Sequence, residues 1–296
     1  MLRSRRTVPL WALSLVVSIA VGVPAPTWAY SLLPLTTEEA QTLPSGVVEG
    51  TLGINYFRNL RYPPFTPPGI IRSQTLMGLP QVAFRVGAGG WAEFQASFDM
   101  LYLDETAVNG KTNKQYGGGD ARIFTKLWFM RERNLWPALG MRFGTKLPNA
   151  TRSSRLGTDD TDFAAAALLS KTLGPLTAHA NLGILLLGNS GPSIGNSFAA
   201  GGQDDIFTYT LGVASKPLGA VTAGAITLRL LGEINGQTGS HFNNDLSDIR
   251  VGLQMQRGAG TLYLGVSTGL ISASEDVGAS AGFTYTFDSA TLFASD

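Results

Sequence analysis

SDIRVGLQMQRGAGTLYLGVSTGL, residues 247–270, alternates without a break through its first half. Ile249, Val251, Leu253 and Met255 take one parity, and Asp248, Arg250, Gly252, Gln254 and Gln256 take the other. That is a strand with one apolar face and one polar face. Arg257-Gly258-Ala259-Gly260 supplies a tight turn, after which Leu262, Leu264 and Val266 alternate with Tyr263, Gly265 and Ser267. A soluble sheet would turn the apolar face to a core. A membrane barrel would turn it to lipid.

The same period recurs along the chain. Strands are expected at 47–57, 70–86 (with a bulge or break at Pro80), 91–103, 119–130, 138–147, 161–171, 176–187, 205–215, 221–235 and 277–287, besides the two of the opening stretch. In 161–171 the alanines blur the alternation, so its facing stays open. The connections decide between sheet and barrel. Those at 58–69, 104–118, 148–160, 188–204, 236–246 and 271–276 are the long set, and those at 87–90, 131–137, 172–175, 216–220 and 257–260 the short set. Long loops on one rim, short turns on the other, and an even number of strands of about ten residues predict an all-β, transmembrane, antiparallel up-and-down barrel of about 12 strands.

The first residues, MLRSRRTVPLWALSLVVSIAVGVPAPTWAY, combine Arg3, Arg5 and Arg6 with an apolar run and the small-residue site Thr27-Trp28-Ala29. They predict a secretory signal peptide over 1–29, cleaved after Ala29. Residues 30–46 are then an N-terminal periplasmic lead-in, with one helical turn capped by Thr36. The barrel follows over 47–287 and a C-terminal tail over 288–296. The expected location is a Gram-negative outer membrane, with outer-membrane lipid, a small-molecule solute and the barrel-assembly machinery as partners. Three of the 22 basic residues precede the cleavage site, leaving 19 against 21 acids, a formal −2, which gives no electrostatic case for nucleic acid. With no cysteine there is neither disulfide scaffold nor thiolate metal site, and no cofactor is implied.

The polar parity carries the candidate site. Arg122, Lys126, Arg142 and Lys146 share it on neighbouring strands, with Glu93 and Asp99 on the strand before. Glu233 falls near Asp248 or Arg250, and His179 lies inward beside Asn181. Facing lipid, such charges would cost about 2–4 kcal/mol each near the midplane, so they must face the lumen. Four cations against two acids suggest a constriction with a basic wall that orients or selects a polar or anionic solute. The alternative is a salt-bridged filling of a narrow lumen. A hydrolase site needs a serine beside the histidine, and none accompanies His179 on its strand; a lumen-facing, hydrogen-bonded histidine is the simpler reading. His241 falls in a polar loop. Asp159, Asp160 and Asp162 with Asp204 and Asp205 lack the glycine-centred spacing of a calcium loop and read as turn acids. The glycine-rich pieces at 116–120 and 188–196 open no helix and read as loops.

GTKLPNATRSSRLGTDDTDFAAAALLSKTLGPLTAHANLG (144–183), EINGQTG (233–239) and SEDVGASAGFTYTF (274–287) resemble the "MetA-pathway of phenol degradation" outer-membrane family. The resemblance covers most of the mature chain. It implies a β-barrel linked to aromatic-compound catabolism as an uptake channel, and it carries no residue-level assignment. The chain departs from the usual outer-membrane ending, because Phe287 is followed by DSATLFASD. The leading expectation is a non-enzymatic barrel for passive uptake of small molecules, with aromatic or anionic compounds as candidate solutes. A plugged barrel that binds through its loops, and an outer-membrane lipid hydrolase, are the alternatives.

Overall fold

A computed structural model describes residues 31–60, 71–188, 205–219, 225–239 and 245–289. The signal-peptide expectation, His241, Asp204 and most of the tail lie outside the described residues. The chain forms a closed antiparallel β-barrel of 12 strands. Its elements are β1 (Val47–Arg58), β2 (Ile71–Ala88), β3 (Ala92–Ala107), β4 (Thr112–Gly118), β5 (Ala121–Met130), β6 (Ala138–Leu147), β7 (Asp162–Leu173), β8 (Leu176–Leu186), β9 (Asp205–Ser215), β10 (Thr227–Gly239), β11 (Leu246–Arg257), β12 (Gly260–Gly269) and β13 (Val277–Asp288). Pairing runs between sequence neighbours, and β1 closes the ring by pairing with both β2 and β13. β4 and β5 are two halves of one wall strand. Both pair with β3, β4 along Met100–Thr106 and β5 along Ala92–Ser97.

Three local expectations change. Residues 104–118 are not a long loop: β3 runs on to Ala107 and β4 returns from Thr112. Thr112, Asn113, Gln115 and Tyr116 continue the pairing, and Gly110, at φ 81°, makes the turn. β10 spans Thr227–Gly239 and so runs past the expected end at 235, while the expected start at 221–224 lies outside the described residues. Residues 31–46 contain no helix. Their backbone and side chains are instead engaged by the barrel's inner wall. The irregularity expected at Pro80 is present, as register shifts between Gly78 and Gln81 against β3 and between Gly53 and Asn55 against β2. Proline has no N–H for the ladder, so the pairing has to slip there.

The parity rule holds round the ring. Leu52, Phe94, Ile123, Leu182, Leu211, Leu230, Val251 and Leu264 all point outward and are exposed. On β13 the outward residues Phe283, Tyr285 and Phe287 form a ladder with ring centroids 6.4 Å apart. The facing of the alanine-rich strand is now fixed. Phe163 is outward and 56% exposed, while Asp162, Leu168 and Ser170 are buried on the lumen side.

The short-turn rim carries the β2–β3, β7–β8 and β11–β12 turns together with both ends of the barrel: Gly46 N–H donates to Gly87 O, and Ser289 N–H donates to Gly46 O. At the opposite mouth Ala150 and Leu156 fold onto Leu76, Leu101 and Leu103, and Arg155 pairs with Glu105 at 3.0 Å.

The exposed apolar exterior needs a hydrocarbon phase. Leu264→Arg, at mid-strand and 45% exposed in the barrel, should therefore destabilise folding into phospholipid vesicles by about 2–4 kcal/mol. Denaturant titration in vesicles checks this; a water-facing position would tolerate the change within about 0.5 kcal/mol.

Candidate functional site

The lumen is the candidate site, and its main occupant is the chain's own segment 31–46. This segment makes a lap of the inner wall, touching strand after strand in descending order. Gln254 on β11 donates to Ser31 O and Leu33 O, and Arg250 donates to Pro34 O at 3.1 Å. Thr36 and Thr37 meet β10, and Glu38 meets β8 through Asn181, whose Oδ1 accepts from Glu38 N–H and whose Nδ2 donates to Glu38 O. Ala40 N–H donates to Ser170 Oγ on β7, and Leu43 N–H donates to Glu93 on β3. Irregular backbone is thus satisfied by wall side chains where no ladder is available. Leu32 and Leu35 bury against Ala214 and Leu231, and Ala40 against Ala138 and Leu168.

The wall makes room for this girdle with glycine. A Cβ on Gly252 would stand 2.7 Å from Pro34 Cδ, and one on Gly265 would stand 2.4 Å from Pro34 Cγ. A Cβ on Gly212 would meet Thr37 Oγ1 at 2.9 Å.

Glu233 is the strongest anchor. Its two oxygens accept from Thr36 N–H at 2.9 and 3.0 Å, Thr36 Oγ1 at 3.0 Å, Thr37 N–H at 2.8 Å and Thr37 Oγ1 at 2.6 Å. Arg250, its cross-strand partner, stands 3.7 Å away and lies 3.6 Å from Asp248.

The cations anticipated from the sequence do come together, but not as an uncompensated patch. Lys126, fully buried, lies 3.3 Å from Glu93 and 3.5 Å from Glu38. Arg142 lies 3.9 Å from Glu38, and Arg122 lies 3.1 Å from Asp99. Lys146 is held by Asp162 at 2.8 Å and Asp120 at 3.2 Å. The surplus of four cations over two acids is therefore corrected: Glu38, Asp120 and Asp162 were not counted. Arg85, also uncounted, bridges Glu93 at 2.8 Å and Glu49 at 3.1 Å. Its parity on β2 is obscured in the sequence by the slip at Pro80. Asp162, one of the turn acids, is committed to Lys146 and to Gly188 N–H.

A serine does accompany His179. Ser170, its direct partner across β7 and β8, places Oγ 2.8 Å from Nδ1. It was missed because the facing of its strand was open. The pair is buried in the lumen, Ser170 also accepts from Ala40, and Asn181 is taken up by Glu38. In this geometry Ser170 and Asn181 bind the girdle.

Among the described residues two small spaces adjoin the girdle. One of about 120 Å³ lies between it and the β1–β6 wall, lined by Arg85, Gln95, Arg122, Phe124 and Arg142 together with Glu38 and Glu39. The other, about 30 Å³, lies by Tyr263 and Thr284.

Among solved structures, the barrel is similar to an outer membrane channel from Pseudomonas putida F1, with TM-score 0.59 and 12% identity over 86% of this chain and 100% of that one. It is also similar to the translocator domain of the autotransporter NalP from Neisseria meningitidis (TM-score 0.52, 12% identity, 83% of this chain and 90% of that one). The β domain of the Bordetella autotransporter Brka gives 0.50 at 12% identity, over 82% of this chain and 100% of that one. These likenesses establish the fold, an outer-membrane type of barrel. No family model matches the chain and no curated protein matches its sequence, so the resemblance to the MetA-pathway family gains no support beyond that fold.

The girdle's adjacent acids respond oppositely to their surroundings. Burial alone would raise the Glu38 carboxyl, but Lys126, Arg142 and Arg85 outweigh it and hold the group below its ordinary 4.5. Glu39 is buried, its Oε1 lacks a hydrogen-bond partner among the described residues, and burial pushes it up to about 8 against the fields of Lys126, Arg85 and Arg229. Nearby Glu93 adds to the rise. A released girdle would return Glu39 to about 4.5, so the docked state takes up a proton between the two values. Docking then weakens as pH rises from about 4.5 to about 8, by up to about tenfold per unit. Glu38 opposes only in acid, where its ion pairs are lost as pH falls below 4.5. The maleimide-labelling rate of Thr42→Cys, divided by that of an exposed Lys111→Cys, should rise from pH 5 to 8 and stay flat when Glu39→Gln is added.

Proposed function

We propose that the protein is an outer-membrane channel for passive uptake of small molecules, held closed here by residues 31–46. The observation that carries this is the nature of the closure. The lumen is filled by a segment outside the barrel ladder, held by side-chain hydrogen bonds that can exchange for water, most of all at Glu233. A barrel needing only a solid interior would fill it from its own wall, as narrow barrels do. Behind the girdle the wall is lined with Arg85, Arg122, Lys126 and Arg142, which favours anionic over cationic solutes once water enters. The short-turn rim, with both barrel ends, faces the periplasm in this reading.

A second reading rests on the charge pairing itself. Every cation just named has an acidic partner, as expected of a barrel stiffened by its filling, whose loops would do the binding.

Glu233→Gln separates the two. It removes a charged acceptor of five hydrogen bonds. Docking should weaken by roughly 2 kcal/mol, about thirtyfold in the open population. Planar-bilayer recordings should show larger and longer openings than the unmodified protein. Absence of conductance from both proteins, with the heat-modifiable barrel intact, would favour the filled barrel.

A further inference from the structure

The cluster that receives Glu38 is organised without it. Arg142 Nε donates to Gln95 Oε1 at 2.8 Å, and its guanidinium carbon lies 3.8 Å from the centroid of Phe124, a ring on the lumen-facing parity. Gln95 Nε2 is held by Glu93 at 2.8 Å, and Lys126 by the same carboxylate at 3.3 Å. The donors are fixed by the wall and presented toward the girdle.

Glu38 fills this cluster loosely. Its oxygens lie 3.3 Å from Gln95 Nε2, 3.5 Å from Lys126 Nζ and 3.9 Å from Arg142 Nε. Charge-assisted bonds normally close to about 2.7–2.9 Å. The reason for the gap is the tether: Asn181 on β8, two strands beyond β6, grips the Glu38 backbone at both its N–H and its carbonyl. A carboxylate free of the chain is under no such constraint and can approach Gln95 Nε2 and Lys126 Nζ closely, beside the charge of the Arg142 guanidinium, whose Nε–H is already given to Gln95 Oε1.

Charge and space agree. Arg85, Arg122, Lys126 and Arg142 are met from the wall by Glu49, Glu93 and Asp99, and from the girdle by Glu38. When Glu38 leaves, four cations face three carboxylates, and one anion is wanted at that point. The cavity of about 120 Å³ adjoins it, with Phe124 and Arg122 on its walls, and gives room for the rest of a small organic molecule.

We infer that Lys126, Arg142 and Gln95 form a binding site for the carboxylate of an organic acid, and that Glu38 is a tethered carboxylate that occupies this site until solute displaces it. This deepens the channel reading and rests on it in one respect, that the girdle can leave. It adds a chemical class of solute and a coupling: solute and closure compete for one site.

The test uses acetate and the full chain. Glu38→Ala deletes the atoms that acetate would replace, a carboxylate and its methylene. Isothermal titration of the detergent-solubilised barrel should show acetate binding at least about tenfold more tightly to Glu38→Ala than to the unmodified protein, because a tethered competitor has been removed. Arg142→Gln in the Glu38→Ala background should abolish the gain. Acetamide, which lacks the charge, should not bind, and chloride should bind more weakly than acetate. Glu233→Gln leaves Glu38 intact but frees the girdle, so it should raise acetate affinity in the same direction, which guards against a folding defect in Glu38→Ala. Equal acetate affinity in the unmodified protein, Glu38→Ala and Glu233→Gln, a gain that survives Arg142→Gln, or equal binding of chloride and acetate would each overturn the inference. Conductance is read separately. A Glu233→Gln barrel that opens but gains no acetate affinity leaves the channel standing without this site. Acetate binding without conductance leaves the site standing and removes the channel.

Discussion

Side chains on a strand alternate, so a closed sheet with an apolar exterior has one place for its charges, the inside. The rest of this structure follows from that constraint. The inner wall collects Arg85, Glu93, Lys126, Arg142, Lys146, Glu233 and Arg250, and a narrow lumen leaves them little water. Lys126 and Glu93 are fully buried against each other. Ions this deep persist only when paired and hydrogen-bonded. The wall supplies most partners, and residues 31–46 supply the remainder: Glu38 for Lys126 and Arg142, backbone N–H groups for Glu93 and Glu233, and carbonyls for Arg250 and Gln254. The girdle is thus both the lumen's filling and part of its charge balance. Its removal exposes water-seeking groups rather than a greasy hole.

The same wall is shaped for the girdle. Glycines at 212, 252 and 265 stand where any Cβ would collide with Thr37 or Pro34. Ser170, itself bonded to His179, and Asn181 present hydrogen-bonding atoms to Ala40 and Glu38 along neighbouring strands. These features converge on one docked arrangement. None of them is needed to close the barrel, whose ladders are complete without the segment.

How much of this the sequence made legible depends on range. Alternation in 247–256, 262–267 and 277–287 specified the barrel and which residues turn inward, because parity is a local property. Pro80 marked its own irregularity. The alanines of 161–171 carried too little contrast to orient a strand, and with that facing open, Ser170 could not be joined to His179. The largest difference concerns residues 30–46, expected as a periplasmic lead-in. Their hydrophobic spacing has no helix or strand period, and most of their partners lie far away in sequence, as Gln254 does from Ser31 and Leu33. A signal was nonetheless present: Gly252 and Gly265 fall on the polar parity of their strands, where an inner wall facing open water would have no need of missing side chains. The miscounted charge has two causes. Glu38 reaches Lys126 from a segment outside the ladder, which no spacing rule reports. Asp162, by contrast, is the direct partner of Lys146 across β6 and β7 and was lost with the open facing of 161–171, and Asp120 shares the parity of Arg122 just ahead of β5.

In the proposed function the docked segment closes the lumen and its departure opens it. The chain has no cysteine, so a single introduced pair can lock it. Thr37→Cys with Gly212→Cys joins the segment to β9, where a Cβ on residue 212 stands 3.0 Å from that of residue 37. A shift of about half an ångström reaches disulfide geometry. With Glu233→Gln added to favour release, the oxidised barrel should stay at the closed level in a planar bilayer and open within minutes of adding reductant. The same conductance before and after reduction would contradict closure by this segment.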